Sequence, residues 1–161
     1  MSNKIHFFDC DETIWTSNTK DYISRVPSSL SKIDEDTILR EEDDLVFTLK
    51  PWIRNLRISL KKQDISIGIV SDNLKEPVLK ALELFELQDY IDSRYINIKL
   101  WDGYCPKHLM IQELISKYEH TYSEVFWRDD KDYSEEAKII SAKFNKISES
   151  FDLSMIADCC R

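Results

Sequence analysis

Two aspartates separated by a single residue stand near the beginning of the chain, directly after a short apolar run. Residues 5–8 are strand-forming and mostly apolar, and Asp9-Cys10-Asp11 follows them, so that charge stands where a buried strand ends. If the backbone is still extended at Asp9, the side chain of Asp11 returns to the same side and both carboxylates converge on one small volume. Such a volume suits a hard cation such as Mg²⁺. The alternative is a pair of solvated turn residues, because aspartate is common where strands end.

Two further strand-like runs also end in polar side chains. The β-branched run at residues 65–70 leads into the Ser-Asp-Asn sequence at 71–73, and the apolar run at residues 125–127 is stopped by the charged stretch 128–132. In a parallel sheet the carboxyl ends of the strands lie along one edge, and ligands bind in the crevice outside that edge. We therefore expect all three polar strand ends to meet there.

A lysine opens one of the intervening helices. Pro106 suits the first position of a helix, which puts Lys107 in the first turn. A cation is unfavourable there because the amino end of a helix is the positive end of its dipole. This position hints at another reason for Lys107, although an ordinary exposed lysine is the alternative.

Together these residues have the chemistry of phosphoryl transfer. Asp9 is the candidate nucleophile, because a carboxylate beside a cation stays ionised and can attack phosphorus. Asp11 is the candidate general acid and base, first for the leaving oxygen and then for the attacking water. The candidate phosphate-binding residues are Ser71, Asp72, Asn73 and Lys107,. The candidate Mg²⁺ ligands are Asp9, Asp11, Asp129 and Asp130,.

The sequence between these motifs predicts alternating strands and helices. Helices are expected at about 51–62, from 76 onwards, from 106 onwards and at about 134–144, with a short strand at 95–98. The last helix would place Ala137, Ile140 and Phe144 toward the sheet at i, i+3, i+7 spacing,. This alternation favours an α/β fold with a parallel sheet and helices on both faces.

A largely polar segment separates the first strand from the first helix. Residues 16–36 lose hydrophobic periodicity,. Residues 37–40 and 45–48 flank the acidic stretch 41–44 and indicate a hairpin with an acidic tip,. We interpret residues of about 16–48 as an insertion, the flap, that could overhang the opening motif as a small cap.

Length, composition and charge limit the classes of protein to which the chain can belong. The chain has 161 residues, of which 42% are hydrophobic and 32% charged, and its net charge is −8. These values favour one domain over residues 1–161, with no membrane span and no attraction to nucleic acid. The start lacks the pattern of a signal peptide, so we expect a cytoplasmic protein. The two glycines exclude a Walker loop or a GxGxxG turn,, and the four cysteines, which lack zinc-type spacing, are expected to be reduced,.

The ordered set of motifs resembles the haloacid dehalogenase superfamily. The DxDxT of Asp9, Asp11 and Thr13, the strand-ending Ser71, Lys107 and the pair Asp129-Asp130 follow that order from about residue 5 to 137. The continuation Ile14-Trp15 and the short insertion are similar to the magnesium-dependent phosphatase family, which has a DxDxTLW start. The resemblance implies a Rossmann-like core, a small flap as cap, and an aspartate-based, Mg²⁺-dependent phosphomonoesterase.

The same resemblance guides the expectation for the substrate. Those phosphatases commonly have arginine where this chain has Asp72, and often asparagine near the position of Ser134. A small flap leaves the site open to phosphorylated sugars, aryl phosphates or phosphotyrosine on a protein surface. The acidic tip and the net charge of −8 should repel polyanions such as nucleic-acid ends and phosphoinositides. The physiological substrate and the oligomeric state are left open.

Two other classes of protein compete with an enzyme. A phosphorylated signalling receiver also uses a parallel sheet, a carboxylate cluster and a lysine around an aspartyl-phosphate. A receiver takes its lysine from the last strand, however, whereas here the pair Asp129-Asp130 follows Lys107. A catalytically idle binding domain on this fold is the third possibility, but it would not need the second carboxylate or the lysine.

Overall fold

The computed structural model describes residues 4–23, 27–60 (of 57–60 the backbone alone), 66–101, 103, 106–118 and 122–148. In chain order the strands are β1 Lys4–Phe8, β2 Trp15–Ser17, β3 Leu30–Asp34, β4 Thr37–Arg40, β5 Leu45–Leu49, β6 Ser66–Asp72, β7 Ile96–Lys99, β8 Glu124–Asp129 and β9 Lys143–Lys146. The helices are α1 Pro51–Leu60, α2 Lys75–Leu84, α3 Lys107–Lys117 and α4 Ser134–Ile139, with short 3-10 turns at Gln88–Tyr90 and Ser93–Tyr95.

The main sheet is parallel and has β1 at its centre. Its strand order is β7-β6-β1-β8-β9, and every neighbouring pair runs parallel. Ile5 and Phe7 of β1 belong to an apolar cluster that includes Met110 of α3, while Phe8 belongs to a second cluster that includes Trp52 of α1. Because successive side chains of a strand point to opposite faces, the helices cover both faces. The predicted fold class is confirmed.

The strand order identifies the functional edge and argues against a receiver. Numbered by their sequence within this sheet, the strands lie in the order 3-2-1-4-5, whereas receiver domains have the order 2-1-3-4-5. The direction of winding reverses between β1 and β8, and ligands of open α/β sheets bind outside the carboxyl ends of the strands at such a reversal. Asp9 follows β1 and Asp129 ends β8.

A second, antiparallel sheet, the flap sheet, lies between β1 and α1 in sequence, with the order β2-β5-β4-β3. The predicted hairpin is present as β4 and β5, where Ile38 pairs with Phe47 and both side chains are fully buried. The strands β2 and β3 were not predicted. In β3 only Leu30 is buried, so its sequence has no apolar alternation that would indicate a strand.

Two strands at the carboxyl edge are longer than expected. We predicted that the third apolar run stops at Arg128, but β8 continues to Asp129. Arg128 stays in the strand because its guanidinium, fully buried, lies over the rings of Phe8 and Phe126. Its Nη1 is 2.7 Å from Nδ1 of His6. Likewise β6 includes residues 71 and 72, which we had expected after the strand.

The prediction of one helix over residues 134–144 is wrong at its second half. The helix α4 ends at Ile139, and Ser141 has the left-handed φ of 56°, which ends a helix. The chain then pairs with β8 as β9. Phe144 therefore lies in a strand, where its ring meets that of Trp127 edge to face at 5.6 Å.

Some expectations fall outside the described residues. These are the packed element in the tail, with Phe151, Leu153, Met155 and Ile156, and the state of Cys105, Cys159 and Cys160. Cys10 is a free thiol and buried. Within the part of the chain that is described, no helix is both long and apolar enough to cross a membrane.

Candidate active site

A cavity of about 320 Å³ opens at the carboxyl edge of the main sheet. Its lining is mostly charged or aromatic and comes from the strand ends, the start of α3 and the flap. The lining residues are Asp9, Asp11, Glu12, Lys20, Tyr22, Asp72, Asn73, Gly103, Lys107, Asp130, Lys131 and Tyr133. The volume falls within the range of small-molecule sites.

At the floor of the cavity a buried lysine joins two strand-end carboxylates. The Nζ of Lys107 lies 3.0 Å from Oδ1 of Asp9 and 2.6 Å from Oδ2 of Asp129. Burial by itself lowers the pKa of Lys107, but the charges of Asp9 and Asp129 outweigh it and hold that pKa well above its ordinary value. The unfavourable position of Lys107 in the first turn of α3 is thus offset by two carboxylates.

Three carboxylates come close enough to share one cation. Asp9, Asp129 and Asp130 each offer an oxygen, and these oxygens lie within 4.8 Å of one another. Burial, followed by the charge of Asp9, raises the pKa of Asp129 and of Asp130. Lys107 balances only one of the three charges, so a divalent cation would neutralise the rest. The donor set, all hard oxygens, fits Mg²⁺.

The four predicted ligands are not equivalent in this arrangement. Asp130 lines the cavity, whereas Asp129 is fully buried. Asp129 accepts hydrogen bonds from Nζ of Lys107 and from the N–H of Lys131. Among the described residues the carboxylate of Asp11 lies outside the group of three. Its role as a metal ligand, and the choice between Asp129 and Asp130, stay predictions.

The carboxylate of Asp11 is held by three donors. Its Oδ1 accepts from the indole N–H of Trp15 at 2.9 Å and from the backbone N–H of Ile23 at 2.8 Å. Its Oδ2 accepts from Nδ2 of Asn73 at 2.5 Å. Burial, followed by the charge of Asp9, raises the pKa of Asp11 to about 7. Because Oδ1 already has two donors, Oδ2 is the oxygen suited to carry a proton.

A tight turn, rather than extended chain, sets this geometry. The N–H groups of Thr13 and Ile14 both donate to the carbonyl of Cys10, and Glu12 has the left-handed φ of 59°. Our expectation assumed that the backbone is still extended at Asp9, and the N–H of Asp9 does continue the pairing with β8 by donating to the carbonyl of Arg128. The turn begins at Cys10 and brings Trp15 back to Asp11.

The predicted phosphate-binding residues at the end of β6 and just after it differ in their positions. Ser71 is fully buried and is not among the residues that line the cavity. Asn73 lines the cavity and links Oγ of Ser71, at 3.3 Å, to Asp11. Asp72 also lines it, and its Oδ1 accepts the N–H of Trp101 at 2.7 Å. Contact of these three with phosphate stays a prediction.

Six residues that line the cavity were not predicted as site residues: Glu12, Lys20, Tyr22, Gly103, Lys131 and Tyr133. Lys131 and Tyr133 follow the acidic pair so closely that their proximity to the site was a usable signal. Lys20 and Tyr22 come from the polar part of the flap, where no pattern distinguishes them. The Nζ of Lys131 lies 3.5 Å from the hydroxyl of Tyr22, so the flap touches the core at the mouth of the cavity.

Comparison with known proteins places the chain in a family. No curated protein matches it. A family model described as haloacid dehalogenase-like hydrolase matches residues 10–149, which is most of the chain. The resemblance to this superfamily is thereby confirmed, while the likeness to the magnesium-dependent phosphatases within it stays a prediction. The chain belongs to the haloacid dehalogenase-like hydrolase family.

Proposed function

We propose that this chain is a Mg²⁺-dependent phosphomonoesterase that forms an aspartyl-phosphate on Asp9. The observation that carries the proposal is the position of the Asp9 carboxylate, which lines the cavity 3.0 Å from the ammonium of Lys107. The same carboxylate belongs to the group of three suited to a divalent cation. A nucleophile, a fixed cation and a metal site in one cavity are what phosphoryl transfer requires.

The reaction divides into two steps. An oxygen of Asp9 forms a bond to phosphorus while the bond to the ester oxygen breaks, and Asp11 gives that oxygen its proton from Oδ2. Asp11 then takes a proton from water, whose oxygen bonds to phosphorus and releases Asp9. Lys107, which lines the cavity, stabilises negative charge on the phosphoryl oxygens. Mg²⁺, when bound by Asp9, Asp129 and Asp130, supplies further charge neutralisation.

The proposed substrates are compact phosphate monoesters. A cavity of about 320 Å³ accommodates a phosphoryl group with a sugar or an aryl ring. The rings of Tyr22 and Tyr133, which line the cavity, could pack against the face of a sugar or an aryl ring. Phosphotyrosine on a protein surface is the larger substrate that the same contacts favour. The net charge of −8 disfavours polyanions such as nucleic-acid ends.

The decisive experiment is turnover of aryl phosphates in the presence of Mg²⁺. We expect steady turnover in the wild type, reversible loss on chelation, and poor replacement by Ca²⁺ because Ca²⁺ relaxes octahedral geometry. Asp9→Asn should abolish turnover without unfolding the chain, since it removes the attacking charge but keeps the shape. Normal turnover in Asp9→Asn, or in excess chelator, would overturn the mechanism.

A leaving-group series tests the second carboxylate. Asp11→Asn should slow hydrolysis of esters with poor leaving groups more than that of esters with good ones, because only poor leaving groups need a proton. An equal loss across the series would exclude Asp11 as the general acid.

A further inference from the structure

We propose that Arg40, on the flap, is a positioning residue for Asp11 and that Asp43 of the acidic tip orients Arg40 for this task. The inference rests on the proposed role of Asp11 as the general acid and base. Neither residue lines the cavity, and nothing in the sequence pattern connects them with the catalytic motif. The connection is a continuous chain of hydrogen bonds from the tip of the flap hairpin to the Asp11 carboxylate.

The first link joins Arg40 to the backbone of the segment after β2. Nη1 of Arg40 donates to the carbonyl of Tyr22 at 2.7 Å and to that of Ile23 at 3.3 Å. Nη2 donates to Oδ2 of Asp21 at 3.0 Å. Residues 20–23 are in neither a helix nor a strand, so no sheet or helix ladder fixes these carbonyls. A largely buried guanidinium, 12% exposed, fixes them instead.

The second link runs from that segment to the site. The N–H of Ile23 donates to Oδ1 of Asp11 at 2.8 Å, and the Ile23 side chain is fully buried. This is one of the two bonds that occupy Oδ1 and leave Oδ2 as the oxygen that exchanges a proton. If the backbone at residues 22–23 shifts, Oδ1 loses a donor and the carboxylate can rotate about its last bond. The side chain of Tyr22, which lines the cavity, would shift with it.

The third link accounts for an acidic residue at the tip. Asp43 binds Arg40 in the two-pronged geometry, from Nε to Oδ1 at 2.9 Å and from Nη2 to Oδ2 at 2.6 Å. A bidentate pair fixes the plane of a guanidinium, and that plane directs Nη1 at the two carbonyls. In the described part of the chain the turn's other acidic residues make no such contact with Arg40, and Glu42 instead accepts the N–H of Ser29. Asp43 is thus an orienting group within the flap.

The chain offers matched controls for both substitutions. Arg54 also joins the flap to the core, since its Nε lies 2.9 Å from Oδ2 of Asp36, but it is not part of the chain of hydrogen bonds from Asp43 to Asp11. Asp44 neighbours Asp43 and shares its charge, and its φ of 55° is one that asparagine tolerates. Arg54→Met and Asp44→Asn therefore match Arg40→Met and Asp43→Asn in chemistry and in net charge.

The test compares these four variants, together with the conservative replacement Arg40→Lys, on aryl phosphates of increasing leaving-group pKa. A group that only holds the flap together would, when lost, slow all substrates alike. A group that positions the acid should slow the poorest leaving group about tenfold more than the best, the signature expected of Asp11→Asn. For Arg40→Met we expect kcat/KM to fall more for the poorest leaving group than for the best. The difference should be smaller for Asp43→Asn, partly restored in Arg40→Lys, and absent in the two controls. A uniform loss, or no loss, in Arg40→Met would overturn the proposal.

Amide hydrogen exchange measures the same connection without turnover. Arg40→Met should raise exchange of the Ile23 N–H at least about tenfold, while the Trp15 indole N–H, the other donor to Oδ1, stays protected. Unchanged protection at Ile23 would overturn the connection. If the wild type hydrolyses no phosphate ester at all, the proposed function fails, and exchange alone then decides whether Arg40 fixes the donor to Asp11.

Discussion

Replacement of Lys107 by methionine removes the only cation that the described structure puts within hydrogen-bonding distance of Asp9 and Asp129. All three side chains are nearly or fully buried, at 4%, 9% and 0% exposure, so solvent screens these charges little. Methionine keeps most of the volume of lysine but leaves two buried carboxylates facing each other. Breaking a buried ion pair from one side costs about 3–5 kcal/mol. For a chain of 161 residues, this loss of unfolding free energy corresponds to a fall in Tm on the order of 10 °C.

The same argument predicts how Mg²⁺ changes the result. Without Lys107 the group of three carboxylates is more negative and attracts a divalent cation more strongly, and a ligand that binds only the folded state stabilises it. Urea unfolding of Lys107→Met should therefore show a loss of about 3–5 kcal/mol in excess chelator and a smaller loss in saturating Mg²⁺.

A control variant separates this effect from the general loss of a lysine. Lys80 pairs with Glu83 at 3.0 Å on the surface, where it is 47% exposed, and Lys80→Met should cost less than about 1 kcal/mol with or without Mg²⁺. If Lys107→Met in chelator stays within about 1 kcal/mol of the wild type, the buried cluster is not held together as described.

Two further predictions concern the core beneath the site. Burial, followed by the charge of Arg128, lowers the pKa of His6 from 6.5 to about 3, so between these values the unfolded chain binds a proton that the folded chain does not. The contribution of neutral His6 to the free energy of unfolding is therefore fully present above pH 6.5 and is lost as the pH falls toward 3. By pH 5 this loss amounts to about 2 kcal/mol. Urea unfolding at pH 7.5 and pH 5 should show this loss as a difference in pH dependence between the wild type and His6→Phe, because other titrating groups, such as Asp11 with its raised pKa, contribute to both; equal pH dependence in both would contradict the burial argument. The second prediction concerns Gly68 in β6, where an added Cβ would lie 2.5 Å from Cε1 of Phe7 and 2.8 Å from the carbonyl oxygen of Tyr95. Gly68→Ala should therefore destabilise the fold by about 1–3 kcal/mol in urea unfolding. An unchanged unfolding midpoint would show that β1 and β6 pack less closely than described.

Local patterns made most of the main sheet predictable. The apolar runs that became β1, β6 and β8 are short, bounded by polar residues and separated by helical periodicity, so their type followed from neighbouring residues alone. The predicted ends of the strands and helices were wrong where a partner that is distant in sequence decides the conformation. Arg128 stays in β8 because its guanidinium lies against His6 and Phe8 of β1 and against the ring of Phe126. Phe144 is extended because β8 offers a free edge to pair with.

The flap shows the same limit. Its hairpin was predictable because two short strand-forming runs, residues 37–40 and 45–48, flank the acidic stretch 41–44. The strand β3 was not predictable, because its side chains after Leu30 are half-buried or exposed and show no apolar alternation, and it forms through backbone pairing with β4.

For the site, the sequence by itself determined which chemistry is present: carboxylates at strand ends and a lysine at the start of a helix are local features, and a parallel sheet must bring them to one edge. Only the tertiary structure decided how they are paired. Lys107 meets Asp129 across 22 positions, Asn73 meets Asp11 across 62, and the flap supplies the Ile23 N–H to Asp11. Such contacts depend on strand order and on the path of an irregular segment, and neither is encoded in the spacing of residues along the chain. The physical reason is that hydrogen bonds of this kind form between groups that the fold brings together, and a local pattern carries no information on which distant donor will face a given carboxylate.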